Sequence, residues 1–251
     1  MPGDLIFSKF AAGKSYTTSS LRTPPGPEGS KGKLVERCDI RGLPFFMLLK
    51  VHPDNPGERH LKIITECLRE GGVIIYPTDT VYGLGCDITK IKAVDRVALI
   101  KGIRREKANF SFICYSLSQL ADYTRPINNE FYRLMRRTLP GPYTYILNAN
   151  NKVPHFFQSK KKTVGIRIPD HKVPLEIVEK LGNPIMTTSI HSGDTFIEYP
   201  TDPEEIYEKF HNLVDIVIDS GHSGTVPSTV IDCRGSTAVL LREGKGEITD
   251  L

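Results

Sequence analysis

From Met47 to the C-terminus, apolar residues alternate between short continuous runs and stripes at helical spacing. Residues 47–51 read as a strand. Residues 57–70 place Leu61, Ile64, Cys67 and Leu68 on one face of an amphipathic helix that Gly71-Gly72 ends. The apolar run Val73-Ile74-Ile75-Tyr76 predicts a buried strand. Further helices are expected over 91–101, 117–124, 129–138 and 173–181, and strands over 110–115, 143–148, 163–168 and 185–188. Thr201-Asp202-Pro203-Glu204-Glu205 opens the last long helix: Thr201 or Asp202 can cap it, Pro203 suits its first turn, and the acids complement its dipole. Strands at 214–218, 228–232 and 238–242 complete the pattern.

Helix and strand alternate throughout, while the later strands follow at short spacing. The expected fold is therefore α/β, with a twisted open mixed sheet flanked by helices. Residues 1–46 lack sustained periodicity, and the stretch 22–33 concentrates proline, glycine and charge. They are expected to be a disordered or non-native extension, with Met47 as an alternative start, ahead of one domain over 47–251. The length and the 39% hydrophobic content suit one large core.

The charge of +4 matters only if the basic groups converge on one surface. Five cysteines, with no CxxC or Cys/His pair at metal spacing, exclude a disulfide framework and a zinc site of ordinary form. No run reaches the length of a membrane span and no secretory signal opens the chain, so a cytoplasmic protein is expected.

Polar motifs cluster at the predicted strand ends, where open α/β sheets place their ligands. Pro77-Thr78-Asp79-Thr80, followed by glycines at 83 and 85, reads as a turn lined with small donors or as an ordinary loop. Lys101, Arg104, Arg105 and Lys107 crowd a helix end, either as solvated surface or as a phosphate clamp. Arg167 interrupts an apolar strand, so it needs a carboxylate partner or an anionic ligand. Thr187-Thr188-Ser189 and Pro227-Ser228-Thr229 supply hydroxyls. The chain has no GxSxG elbow, Walker loop or GxGxxG turn, which argues against a serine hydrolase and the common nucleotide folds.

The ordered series PTDTVYGLGCD, IKGIRREKANFSFIC, LPGPYTYIL, TVGIRIPDH, PIMTTSIHSG, DSGHSGTVPSTVID and LREG resembles the YrdC/YciO family of threonylcarbamoyl-adenylate synthases, from about Met47 onward. The resemblance implies a basic concave cleft. It also implies a reaction of ATP, L-threonine and bicarbonate that gives threonylcarbamoyl-AMP and pyrophosphate for the t6A modification of transfer RNA. Lys101 and Arg104 would be the catalytic cations, and Thr80, Thr144, Arg167 and Thr187 would hold threonine. Asn109, Ser189, His191, Ser228, Thr229 and Arg242 would hold the nucleotide. Magnesium would bridge the triphosphate, with no ligand from the protein.

Two positions depart from the family pattern: Ile103 stands where an arginine is expected, and His191 where an asparagine is. Both resemble the YciO branch. The alternative is thus a YciO-type protein that binds double-stranded RNA, transfer RNA or a nucleotide with weak or no synthesis, aided by Arg133, Arg136, Arg137 and Lys160 to Lys162.

Overall fold

The computed structural model describes residues 46–105, 108, 110–157, 162–190 and 199–247. The expected N-terminal extension lies outside them, apart from Phe46. The described residues all fall within one compact unit, 37–251.

Ten strands form one sheet: β1 (Met47–Lys50), β2 (Val73–Tyr76), β3 (Gly83–Asp87), β4 (Ser111–Ile113), β5 (Tyr143–Asn148), β6 (Thr163–Arg167), β7 (Ile185–Ser189), β8 (Ile216–Asp219), β9 (Thr229–Asp232) and β10 (Val239–Arg242). Their order across the sheet is β1-β8-β2-β3-β7-β4-β6-β5-β9-β10. Parallel pairings (β1 with β8, β2 with β8, β4 with β6, β5 with β9) mix with antiparallel ones such as β3 with β7 and β5 with β6. The sheet is therefore mixed, as the short spacing of the later strands implied.

Helices cover both faces, and β2 shows why. Ile74 and Tyr76 pack with Leu61, Ile64 and Leu68 of α1 (Glu58–Arg69) and with Ile177 and Val178 of α5 (Lys172–Leu181). Val73 and Ile75 face the other way, toward a core shared with α2 (Ile91–Ile100), α4 (Asn129–Thr138) and α6 (Pro203–Phe210). A strand buried on both faces must be apolar at every position, which the run VIIY satisfies. Each fully buried aliphatic side chain contributes about 1.5–3 kcal/mol.

Local sequence fixes the helix ends. Asp202 accepts from the Glu204 amide at 2.9 Å with Pro203 in the first turn, so Asp202 is the side-chain cap of α6. The short helix α3 (Leu117–Tyr123) is capped by Ser116 and α4 by Asn128. Helix α1 stops where Gly71 adopts φ +87°, and a Cβ on Gly72 would lie 2.3 Å from the Cys67 sulfur.

One segment differs from its sequence reading. The Pro77–Asp87 block is not a loop throughout: after the PTDT turn, residues 83–87 form β3 in the middle of the sheet. Its glycines look like loop signals but serve close packing. A Cβ at Gly83 would meet the Tyr76 ring at 2.9 Å, and one at Gly85 the Met186 carbonyl oxygen at 2.5 Å. Among the described residues, no helix is long and apolar enough to cross a membrane.

Candidate active site

A cavity of about 560 Å³ opens over the middle of the sheet, with walls from β3 through β7, β4, β6 and β5 to β9 and β10. This size suits a small-molecule ligand. Its polar groups come from strand ends distant in sequence.

Arg167, the last residue of β6, lines the cavity and is only 8% exposed. One guanidinium nitrogen forms a short ion pair with Asp79 of the PTDT turn and lies 3.4 Å from the Thr78 hydroxyl. The sequence left open whether this arginine has a carboxylate partner; it does. The pair is incompletely satisfied, because Asp79 Oδ2 and Arg167 Nε are buried with no hydrogen-bond partner among the described residues. The turn itself is tied down by Lys245, whose ammonium donates to the Asp79 carbonyl at 2.6 Å. His171, which caps α5, has its pKa lowered by burial, opposed by the charge of Asp79.

Thr78 donates to the Val81 carbonyl and accepts from the Thr80 amide, which closes the turn. Its hydroxyl proton is thereby used, so Thr80 is the donor across their 3.2 Å contact. Thr80 is fully buried; it sits behind Thr78, which lines the cavity.

Lys101 follows the last turn of α2. Its ammonium donates to the Ser189 carbonyl at 2.9 Å, and Ser189 lines the cavity. Lys101 is half-buried, which lowers its pKa, and it forms no ion pair among the described residues. Of the neighbouring arginines, Arg105 lines the cavity and bridges to Asp95 at 2.5 Å, whereas Arg104 and Ile103 are exposed and lie outside the lining. Gly102, at φ +67°, turns the chain here.

The opposite wall carries a relay of hydroxyls. Thr144 and Ser228 share a hydrogen bond of 2.8 Å, and Arg242 donates to the Ser228 carbonyl at 2.8 Å. Thr187 lines the floor and accepts from the buried phenol of Tyr76 at 2.5 Å, so its own proton remains available for an acceptor in the cavity. Burial pushes the Tyr76 phenol well above the ordinary tyrosine range. Phe110, Phe112 and Phe157 form an apolar wall, with Phe112 edge-on to Phe157 at 5.1 Å between centroids.

The structure thus brings Arg167, Thr144, Thr187, Ser189, Ser228 and Arg242 to one cavity, with Lys101 and Thr80 one contact behind its walls. Thr229 is elsewhere: fully buried, it donates to the Gly246 carbonyl and accepts from the Gly244 amide. Asn109, His191, Lys160 and Lys161 lie outside the described residues. Asp79, Tyr76 and Arg234, which also lines the cavity, were not singled out for this site by the sequence; only the unpaired charge of Arg167 hinted at a partner such as Asp79. The sequence names Arg105 only within the phosphate-clamp alternative, with Arg104 as the catalytic cation. Arg133 and Arg136 are exposed on α4, apart from the cavity lining.

Among the described residues, no three His, Cys, Asp or Glu side chains converge as a metal site. The described residues thus offer a magnesium ion no carboxylate cluster at this cavity.

Residues 66–244 match the family model Sua5_yciO_yrdC, described as telomere recombination. The YciO protein of Escherichia coli K12 is 40% identical over 200 residues, which is 79% of this chain and 95% of that protein. A threonylcarbamoyl-AMP synthase of Pyrococcus abyssi is 33% identical over 189 residues, which is 74% of this chain and 54% of the synthase. Among solved structures, E. coli YciO superposes with a TM-score of 0.76 at 37% identity, covering 81% of this chain and 98% of that one. P. abyssi Sua5 complexed with L-threonine gives 0.72 at 31% identity, covering 79% and 57%. Together with the mixed sheet and the strand-end cavity, these likenesses make the chain a member of the Sua5/YciO/YrdC family, which includes threonylcarbamoyl-AMP synthases.

Proposed function

We propose that this protein makes threonylcarbamoyl-AMP and pyrophosphate from ATP, L-threonine and bicarbonate, supplying the t6A modification of transfer RNA in the cytoplasm. The domain responsible is residues 47–251, with 1–46 as an extension that takes no part. The single observation that carries this reading is Lys101, a half-buried ammonium without an ion pair among the described residues, fixed on the carbonyl of the cavity-lining Ser189. A desolvated cation without a counter-charge favours an anionic ligand.

In this reaction the threonine nitrogen bonds to the bicarbonate carbon with loss of water. A carbamate oxygen then attacks the α-phosphorus, and the bond from that phosphorus to pyrophosphate breaks. No covalent enzyme intermediate is needed, so the protein's part is to position reactants and stabilise negative charge. Arg167 and the proton of Thr187 suit the threonine carboxylate, and Lys101 and Arg242 suit the phosphates. The phenylalanine wall gives the adenine ring an apolar surface. Magnesium would arrive on the triphosphate.

The test is pyrophosphate release from ATP with and without each co-substrate. The reading requires release that depends on both L-threonine and bicarbonate and disappears in Lys101→Ala. ATP left untouched with both present would sink it.

A second reading has its own observation. Ile103 places no charge where the family pattern has an arginine, and Arg104 beside it is exposed and outside the cavity lining. A YciO-type protein that binds RNA or nucleotide without synthesis fits that loss. Its binding should fall steeply with salt, since phosphate contacts release counterions. Affinity unchanged at high salt would exclude it.

A further inference from the structure

The cations around the cavity divide into two kinds. Arg167 is paired with Asp79, Arg105 with Asp95 and Arg234 with Asp232. Lys101 and Arg242 form no ion pair among the described residues; both hydrogen-bond backbone carbonyls instead. The division is sharpest at Arg167. Its partner Asp79 comes from a tight turn closed by Thr78 and pinned by Lys245, so the carboxylate is held in place. Both side chains are about nine-tenths buried, at 10% and 9% exposure, where charges are weakly screened.

We infer that Asp79 is a specificity-determining positioning residue. It neutralises Arg167 and so reserves that subsite for a singly charged carboxylate, leaving phosphate to Lys101 and Arg242. The inference rests on the proposed reaction for the identity of the carboxylate, L-threonine, but not for the charge argument. A phosphate group at Arg167 would bring up to two negative charges beside the fixed carboxylate of Asp79, and like charges at that depth repel strongly. A carboxylate brings one charge and can share the guanidinium with Asp79. If the ligand is a zwitterionic α-amino acid, its ammonium reduces the repulsion further. In a cavity that must accept an amino acid and a triphosphate together, this division keeps pyrophosphate and inorganic phosphate from occupying the amino-acid end.

The experiment measures binding of inorganic phosphate and of L-threonine, by calorimetry, to the full chain, Asp79→Asn and Asp79→Asn/Arg167→Gln. Asparagine keeps the shape and one acceptor oxygen while removing the charge. Asp79→Asn is expected to gain phosphate affinity by about tenfold or more, to lose the gain in the double variant, and to let phosphate displace L-threonine. A merely structural role for Asp79 would weaken every ligand and produce no gain. In the unaltered chain, phosphate is expected to leave threonine affinity within about twofold, an arm that needs no variant to fold. Unchanged or weaker phosphate binding in Asp79→Asn, or one-for-one displacement of threonine by phosphate in the unaltered chain, overturns the inference. The proposed reaction fails separately: a chain that binds no threonine but shows the phosphate gain in Asp79→Asn keeps the role of Asp79 and loses the synthase.

Discussion

The ammonium of Lys101 donates to the carbonyl of Ser189 at 2.9 Å, joining the end of α2 to the end of β7 across 88 positions of sequence. This contact leaves two ammonium protons for a ligand and fixes where the positive charge stands. Lys101→Ala is expected to abolish pyrophosphate release while thermal unfolding still gives a cooperative transition.

The same residue sets a pH dependence. Burial lowers the Lys101 pKa, so the charge proposed to attract phosphate is lost at a lower pH than for a free lysine. ATP-analogue affinity should therefore fall with rising pH below the ordinary lysine range, and Lys101→Arg should remove that decline. For the ligand-free fold the sign is reversed. The stability contribution of this group is least below the lowered pKa and grows as pH rises through it toward the unfolded value. Affinity flat up to the ordinary lysine range would contradict this.

Arg105 lines the cavity and Arg104 does not. The Arg105 partner, Asp95, is 54% exposed and therefore screened, unlike the buried Asp79, so Arg105 can still meet a phosphate. Arg105→Ala is expected to weaken ATP binding by about tenfold, the scale of one charge-assisted contact, and Arg104→Ala by no more than about twofold. The reverse order would mean that the chain after Gly102 is arranged differently when nucleotide is bound.

Tyr76 holds the Thr187 hydroxyl from beneath at 2.5 Å. Tyr76→Phe removes that donor, so Thr187 is no longer obliged to point its proton into the cavity. The expected result is a raised threonine KM and a stability loss of about 0.5–1.5 kcal/mol, seen in a denaturant titration. An unchanged KM would show that Thr187 does not contact the amino acid.

Gly85 tests why β3 is built from glycines. An added Cβ would stand 2.5 Å from the Met186 carbonyl oxygen and 2.7 Å from an Ile185 methyl, so Gly85→Ala should cost about 1–3 kcal/mol or more. Gly182→Ala meets nothing within 4 Å and is strained only by its φ of +83°, for about 1 kcal/mol. Thermal melts of the two variants should therefore differ clearly, with Gly85→Ala the lower.

Much of this molecule was legible in the chain because local rules suffice for it. The VIIY run required a strand covered on both sides, the Leu61, Ile64, Cys67, Leu68 stripe required a helix with one buried face, and Asp202-Pro203 marked a helix start. The illegible parts depend on contacts between distant segments. Strand β3 read as a loop because its glycines are explained by a tyrosine ring and a neighbouring strand, neither of which is adjacent in sequence. Ser228 and Thr229 read alike, yet at the entry to β9 the two side chains part: Ser228 lines the cavity and Thr229, the first strand residue, binds the backbone of the C-terminal turn.

The sequence by itself determined the alternation of helices and strands, the mixed sheet and the strand-end motifs that mark the family, because periodicity and turn chemistry are local properties. Only the tertiary structure decided that Asp79 pairs with Arg167 while Lys101 and Arg242 have no ion-pair partner among the described residues, and that Arg105 rather than Arg104 lines the cavity. Charge compensation depends on distances between side chains far apart along the chain, and those distances exist only after the sheet has formed.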